Sequence, residues 1–289
     1  NFKMLSEVAR RASDFDVIHN HHDYWMFPLT GMTQVPVLTT MHGRLDLPDM
    51  PAAMDAYPDM NFVSISDSQR GPMTHARWLR TIYHGLEVED FKFCPKPGKY
   101  LSFLGRIGAE KRPEWAIQIA RQAGIPLKIA AKIEGKESQD YYDAFVKPHV
   151  DGKFIEFVGE IGEAEKSDFL GNALAMVFPI DWPEPFGLVV LESLACGTPV
   201  LARPCGSMPE LLKDGVTGYC SNDLAVLGRR VQDIGGLDRK ACRQWVEQGF
   251  SLERMTEEYI HVYRHLAEFG SARTRQERSN RYRRDFIHP

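Results

Sequence analysis

Short apolar runs alternate with amphipathic segments along most of the chain, and this alternation predicts parallel α/β layers. In the first third, the apolar runs predict strands at 15–19, 36–41, 62–66 and 81–83. Later in the chain, further strands are predicted at 100–104, 127–131, 154–158, 175–179, 199–202 and 218–220. Helical spacing of apolar residues fills the intervals. The pattern therefore predicts two α/β domains.

A stretch rich in Pro and Gly at 94–99 predicts the boundary between these domains. We expect a first Rossmann-like domain over 1–93 and a second over 94–251, followed by a helix over 252–269. The first domain opens on an amphipathic helix with no strand before it, so we expect this domain to be N-terminally incomplete. The tail, 270–289, carries six arginines. We interpret it as a solvated extension, with peripheral contact to anionic lipid or nucleic acid as the alternative.

Composition and charge narrow the class of protein. The net charge of −4 gives no global basic field, so no nucleic-acid partner is expected. The five cysteines show no CxxC pair, which favours a reducing compartment. No apolar run approaches the roughly 18 residues of a membrane span. We therefore predict a cytoplasmic protein without a membrane span.

The most informative segment is Glu184-Pro-Phe-Gly-Leu-Val-Val-Leu-Glu192, which follows an apolar strand. The segment predicts a loop and then a helix, whose first N–H groups attract an anion. Gly187 allows a ligand to approach the backbone, and Glu192 lies roughly 7 Å further along the helix axis. A carboxylate on each side of an anion site suits a diphosphate that carries hydroxyl groups at both ends. A nucleotide sugar has this chemistry. The alternative is an amphipathic helix with two solvated glutamates.

This segment, followed by Gly197-Thr-Pro-Val, resembles the signature of retaining glycosyltransferases of family 4, the glycosyl transferases group 1. The further matches, in chain order, are 40–43, 64–66, 84–85, 105–111, 158–160 and 206–210. The resemblance implies a GT-B fold, in which two Rossmann-like α/β domains face a cleft. It extends from about Asp16 to Leu266.

The resemblance also implies roles for individual residues. Arg106, at a strand end, and Lys111, in the next loop, would hold the donor diphosphate, and both cations oppose the charge that develops as the diphosphate leaves. His42 would approach the donor sugar. We therefore expect a catalytic set and a donor-binding set. The catalytic set is His42, Arg106, Lys111 and Glu184, and the donor-binding set is Arg106, Lys111, Glu184, Phe186, Gly187, Leu188 and Glu192.

On the acceptor side we expect His21, His22, Asp23 and Arg44. The histidines and carboxylate in this segment also invite a zinc site, but their spacing fits no structural zinc pattern. We expect no metal and no cofactor, because the two cations and the helix dipole supply the positive charge.

The function implied is transfer of a hexose from a nucleotide sugar, UDP-glucose first, to a hydroxyl of a small-molecule or glycan acceptor. A run similar to 178–187 occurs in bacterial proteins described as tetrahydrobiopterin glucosyltransferases, which raises a pterin as one acceptor. The alternative is a non-catalytic nucleotide-sugar-binding module, because the first strands and Gly-rich loop of the family are absent from this sequence. An epimerase or phosphorylase of the same fold is a third interpretation.

Overall fold

The computed structural model describes residues 2–269, so the arginine-rich tail lies outside the described residues. The chain divides into two compact units, one comprising the residues up to Tyr83 and those from Glu253 onwards, the other His84–Leu252. The sequence placed this boundary later, at 93/94. The difference has a local cause, since Leu86 accepts a hydrogen bond from the backbone N–H of Leu252 (2.9 Å) and donates one to the carbonyl of Phe250 (2.9 Å).

Parallel strands and intervening helices make up both units. The strands are β1 (Ile18–Asn20), β2 (Val37–Thr40), β3 (Asn61–Ser64), β4 (Trp78–Thr81), β5 (Leu101–Arg106), β6 (Leu127–Lys132), β7 (Ile155–Gly159), β8 (Ala175–Phe178), β9 (Val200–Ala202) and β10 (Gly218–Cys220). The helices are α1 (Phe2–Arg11), α2 (Phe27–Thr30), α3 (Met50–Asp55), α4 (Asp67–Arg70), α5 (Pro113–Ala123), α6 (Gly135–Phe145), α7 (Glu163–Gly171), α8 (Leu188–Ala195), α9 (Met208–Leu211), α10 (Leu224–Ile234), α11 (Arg239–Gly249) and α12 (Leu252–Phe269).

The first unit contains a parallel sheet in the order β1-β2-β3-β4. One face of this sheet packs against α12, where Val262 and Leu266 are buried against Leu38 and Val63. A second cluster, rich in methionine and phenylalanine, surrounds Phe62. Because α12 contributes buried residues to this core, the last described helix belongs structurally to the first unit.

The second unit contains a parallel sheet in the order β10-β9-β8-β5-β6-β7. Its core joins strand residues such as Phe103 and Val177 to helix residues such as Ile117 of α5 and Val231 of α10. β8 is buried along its whole length, as expected for a strand covered by helices on both faces. The expected α/β fold of parallel sheets is confirmed in both units.

Most predicted strands lie within two or three residues of their observed positions, and the first unit shows the larger differences. β1 begins at Ile18, because Phe15 follows a 3-10 turn and is 51% exposed. β4 ends at Thr81 instead of continuing to Tyr83. None of the helices within residues 2–269 is long and apolar enough to cross a membrane.

Candidate functional site

The strand order of the second sheet creates a crevice at its centre. Counted from β5, the order runs through β6 and β7 on one side and through β8, β9 and β10 on the other. In sheets of this order, ligands bind outside the carboxyl ends of the strands where the order reverses. Arg106 ends β5 and Phe178 ends β8 at this switch point. The loops that carry Lys111 and Glu184 follow these two strands.

Gly187 gives α8 its sharp beginning. Its φ of +99° lies in the left-handed region, and an added Cβ would lie 2.8 Å from the Met208 side chain. The backbone angle therefore favours glycine, whereas the contact is with the terminal methyl of a flexible side chain that can move. Phe186 points its ring into the protein against His84, so only its backbone is suited to a ligand. Leu188 is 41% exposed at the first turn of the helix.

Lys111 and Glu184 form an ion pair in which only 11% and 12% of the two side chains are exposed. The Lys111 ammonium lies 2.5 Å from Glu184 Oε2, and the same oxygen accepts a hydrogen bond from the indole N–H of Trp182 at 2.6 Å. The ammonium also lies 5.0 Å from the centre of the Trp182 ring and 5.4 Å from that of Phe178. Two hydrogen-bond donors hold the carboxylate, and two cation–π contacts hold the ammonium, beside the start of α8.

Glu192 lies on the wall of a cavity. The cavity, of about 290 Å³, is lined by Leu104, Gly105, Ala130, Ala131, Lys132, Glu160, Ile161, Glu163, Lys166, Val189 and Glu192. Glu192 Oε1 lies 3.1 Å from the ammonium of Lys166, which comes from α7. Burial raises the pKa of Glu192, while Lys166 acts in the opposite direction. The two signature glutamates therefore each have a lysine partner at the switch point.

Arg106 differs from Lys111 in its surroundings. Its side chain is 55% exposed, and its guanidinium lies 3.5 Å from the carboxylate of Glu110, four residues further along the chain. Lys111 thus has a carboxylate partner and is mostly covered, whereas Arg106 is largely exposed. Their joint contact with a donor diphosphate stays a prediction.

A second group of charged residues, which the sequence analysis did not predict, holds the loop before Glu184 in place. Asp181 accepts hydrogen bonds from Arg112 at 2.9 Å and from Arg203. The two guanidinium groups lie 4.6 and 4.9 Å from the Trp115 ring. Arg112 has a φ of +51°, directly after Lys111. These contacts tie the loop carrying Lys111 to the loop carrying Glu184.

Three histidines lie together in the first unit. His21 Nδ1 is 2.8 Å from His42 Nε2, and the rings of His19 and His21 are 3.8 Å apart. His19 also hydrogen-bonds Tyr263 at 2.7 Å and Thr40 at 2.8 Å. Burial, with smaller contributions from the other two histidines, lowers the pKa of His19 to about 3. Partial desolvation lowers the pKa of His42 against the opposing effect of Asp23.

The expected acceptor-side residues lie in different surroundings. His21 is joined to His42, and Asp23, with a φ of +45°, affects the pKa of His42. Arg44 instead pairs with Asp46 at 2.5 Å. His22 has a buried Nε2 that lacks a hydrogen-bond partner within the described part of the chain.

Within residues 2–269, no three His, Cys, Asp or Glu side chains lie where they could hold a metal ion. The histidine cluster is instead joined to tyrosine and threonine hydroxyls. Such partners suit neutral imidazoles.

Comparison with protein-family models gives a match over most of the second unit. The model described as "Glycosyl transferases group 1" matches residues 88–249, which is more than half of the chain. The chain belongs to the glycosyl transferases group 1 family. The matched range falls within the second unit and includes Lys111, Glu184 and Glu192 of the site described above.

Several similar proteins are described as glycosyltransferases. A D-inositol 3-phosphate glycosyltransferase of Actinosynnema mirum is 30% identical, over 90% of this chain and 75% of that protein. One from Mycobacterium marinum is 24% identical, over 95% of this chain and 69% of that protein. The family thus includes named glycosyltransferases that are longer than this chain.

Solved structures confirm the GT-B type of fold. Sucrose-phosphate synthase from Thermosynechococcus elongatus has a TM-score of 0.77 and 21% identity, covering 91% of this chain and 77% of that one. Anabaena Alr3699/HepE in complex with UDP and glucose has a TM-score of 0.75 and 16% identity, covering 90% and 80%. At these identities the likeness concerns the fold alone.

Proposed function

We propose that this protein transfers a hexose from a nucleotide sugar to an acceptor hydroxyl with retention of configuration, with no metal and no cofactor. One observation carries the proposal: of the two signature glutamates at the switch point, Glu184 precedes α8 and Glu192 lies within it, and each is beside a lysine. This arrangement suits a ligand that is anionic in the middle and carries hydroxyl groups at both ends. A nucleoside diphosphate sugar is such a ligand.

In this proposal, the backbone N–H groups of Gly187 and Leu188 and the cations Arg106 and Lys111 bind the diphosphate. Glu184 accepts hydroxyl hydrogen bonds from the sugar, and Glu192 accepts them from the ribose. The helix N-terminus adds positive potential at the same place. UDP-glucose is the first donor to test, and the Anabaena structure of similar fold, which contains UDP and glucose, supports this choice.

The proposed reaction breaks the bond between the anomeric carbon and the phosphate oxygen, and forms a bond from that carbon to the acceptor oxygen on the same face. The acceptor proton passes to the departing phosphate. Arg106 and Lys111 stabilise the negative charge that grows on the leaving diphosphate, which lowers the barrier more than it strengthens ground-state binding. No separate protein nucleophile is needed in this sequence of events.

His42 is proposed to approach the donor sugar. His21, which shares a hydrogen bond with His42, is proposed to bind the acceptor together with His22, Asp23 and Arg44. The names of the relatives suggest an inositol phosphate as one acceptor to test, beside a pterin. A cytoplasmic location is part of the proposal.

The test is calorimetric titration with a panel of UDP-, GDP- and ADP-sugars, with sugar release and transfer to candidate acceptors followed in parallel. Binding of one nucleotide series, with transfer that retains the anomeric configuration, is the expected result. Binding without any turnover would favour a nucleotide-sugar-binding module instead. The absence of nucleotide binding would refute the proposed function.

A further inference from the structure

Lys166 is a charged residue that the proposed chemistry leaves without a role. It stands on α7 and reaches into the cavity that contains Glu192, with only 17% of its side chain exposed. Its ammonium lies 3.1 Å from Glu192 and 2.8 Å from Glu163, whose side chain is 83% exposed. A lysine held in this way loses side-chain entropy and solvation, so its position calls for an explanation.

The surroundings of Glu192 show why a cation matters there. Glu192 is only 8% exposed and stands on a helix in which Ser193 is the one other polar residue. The charged or titratable groups around it are Lys166 and Glu163 of α7, Lys132 at the end of β6, Glu160 after β7 and Cys196, which directly follows its own helix. Lys132 pairs with Glu134 at 3.3 Å. Lys166 is therefore the cation in direct contact with the Glu192 carboxylate.

The ionisation of Glu192 decides what it can bind. An ionised carboxylate offers both oxygens as acceptors, and a pair of neighbouring hydroxyl groups then satisfies them. A protonated carboxyl loses part of that capacity and donates instead. Without a nearby cation, a carboxyl this deeply buried favours its neutral form.

We propose that Lys166 is a positioning residue that keeps Glu192 ionised and fixes one of its oxygens, so that the carboxylate accepts the hydroxyl groups of a ribose. This inference rests on the proposed function and deepens it by assigning a residue of α7 to nucleotide selection. Lys166 acts through Glu192. Its contribution is therefore greatest for ligands that present a ribose diol and smaller for ligands that lack one hydroxyl.

A purely structural role makes a different prediction. If Lys166 only fastens α7 to α8, its removal lowers stability but leaves the choice between ribose and deoxyribose unchanged. Its removal would then also leave unchanged the pH dependence of that choice. The selectivity for ribose therefore separates the two roles.

The experiment measures the affinities of UDP and 2′-deoxy-UDP by calorimetry between pH 5 and pH 8. The proteins are the unmodified chain, Lys166→Met, Lys166→Gln, Lys166→Arg and the control Lys128→Met. Lys128 pairs with Glu156 at 3.1 Å on neighbouring strands of the same sheet and does not line the cavity. The ratio of the two affinities cancels the titration of the terminal phosphate, whose pKa is about 6.

For the unmodified chain we expect UDP to bind more tightly than 2′-deoxy-UDP, with the ratio falling at acid pH as Glu192 protonates. In Lys166→Met and Lys166→Gln the ratio at pH 7 should fall by about tenfold, and its decline should begin about one pH unit higher. Lys166→Arg should recover both properties. Lys128→Met should behave as the unmodified chain.

The inference is overturned if folded Lys166→Met or Lys166→Gln keeps the original ratio and pH profile. Thermal unfolding of each variant establishes that it is folded. Should Lys166→Met not fold, Lys166→Gln, which keeps a hydrogen-bond donor without charge, gives the same comparison. If the unmodified chain binds neither nucleotide, the comparison uses the ribo and 2′-deoxy forms of whichever diphosphate, GDP or ADP, binds instead. If none of the three binds, the proposed function fails, and the inference fails with it. Nucleotide binding without a ribose preference that depends on Lys166 refutes the inference alone.

Discussion

Replacement of Lys111 by methionine should damage both the fold and the proposed chemistry, whereas the same change at Arg106 should damage only the chemistry. The two residues carry the same charge in neighbouring positions but differ in burial. Lys111 is 9% exposed and lies 2.5 Å from Glu184. The Arg106 side chain is 55% exposed and makes a 3.5 Å contact.

The magnitudes follow from these surroundings. Removal of one partner of a buried ion pair costs roughly 3–5 kcal/mol, because the other charge is left uncompensated. Since Trp182 still donates a hydrogen bond to Glu184, we expect the lower end, about 3 kcal/mol for Lys111→Met. For a domain of this size, that corresponds to a Tm lower by about 6–12 °C. Loss of an exposed pair costs about 1 kcal/mol or less, so Arg106→Met should change the Tm little.

Turnover should respond differently. Both cations are proposed to oppose the charge of the departing diphosphate, so each variant should lose turnover by about a hundredfold while the apparent donor constant changes less. The double variant Lys111→Met/Glu184→Gln removes the uncompensated carboxylate and should recover part of the Tm. It should not recover turnover.

The assays are thermal unfolding followed by circular dichroism and release of nucleoside diphosphate from the donor. Equal Tm values for Lys111→Met and Arg106→Met would refute the argument from burial. Full turnover in either variant, with altered donor affinity, would show that the cation concerned only binds.

Three further predictions concern binding, metal and pH. Glu192→Ala should weaken free nucleotide and nucleotide sugar alike by about 1.5–3 kcal/mol, and unchanged nucleoside diphosphate affinity in calorimetry would contradict the ribose assignment. Transfer activity should survive EDTA; activity lost on chelation and restored by magnesium or manganese would show that a metal takes part. The pKa of His19 is lowered from 6.5 to about 3 in the folded protein, so the unfolded chain binds more protons between these values and stability falls as the pH drops through this window. His19→Gln should therefore show a shallower loss of stability with acid in urea titrations, by up to about 1.4 kcal/mol per pH unit, and equal slopes would contradict the neutral burial of His19.

The strands of the second unit could be predicted closely from the sequence because they are buried on both faces. β8 is a continuous apolar run with every residue buried, and the pattern alone located it. β4 instead alternates between buried Leu79 and exposed Arg80. The strand predicted at 81–83 therefore begins too late, because the observed strand starts at Trp78. A strand that is buried on one face has only every second residue apolar, so it gives no continuous apolar run.

The signature helix could also be predicted, but its partners could not. Gly187 and the two glutamates lie within one short segment, so their relation follows from local structure. Lys166 lies 26 residues before Glu192 along the chain, and only the packing of α7 beside α8 brings them together. Trp182 lies two residues before Glu184 in the sequence, but its hydrogen bond to Glu184 could not be predicted, because the direction of the indole N–H depends on the fold of the loop.

We expect Arg106 and Lys111 to act together because Arg106 ends β5 and Lys111 lies in the loop that follows it. The structure shows Arg106 largely exposed and Lys111 buried, and in the loop between them and α5, Arg112 takes a left-handed conformation and binds Asp181. A long-range contact of this kind leaves no periodic signal in the sequence.

The central claim is that the switch point of the second unit binds a nucleoside diphosphate beside Glu192. Methyl-resolved NMR spectra recorded during addition of UDP test it most directly. The account predicts that the methyl signals of Leu104, Ile161 and Val189, which line the cavity, shift on titration, while that of Val231 in the core stays in place. Shifts confined to methyl groups away from the cavity, or no shift at saturating UDP, would contradict the account.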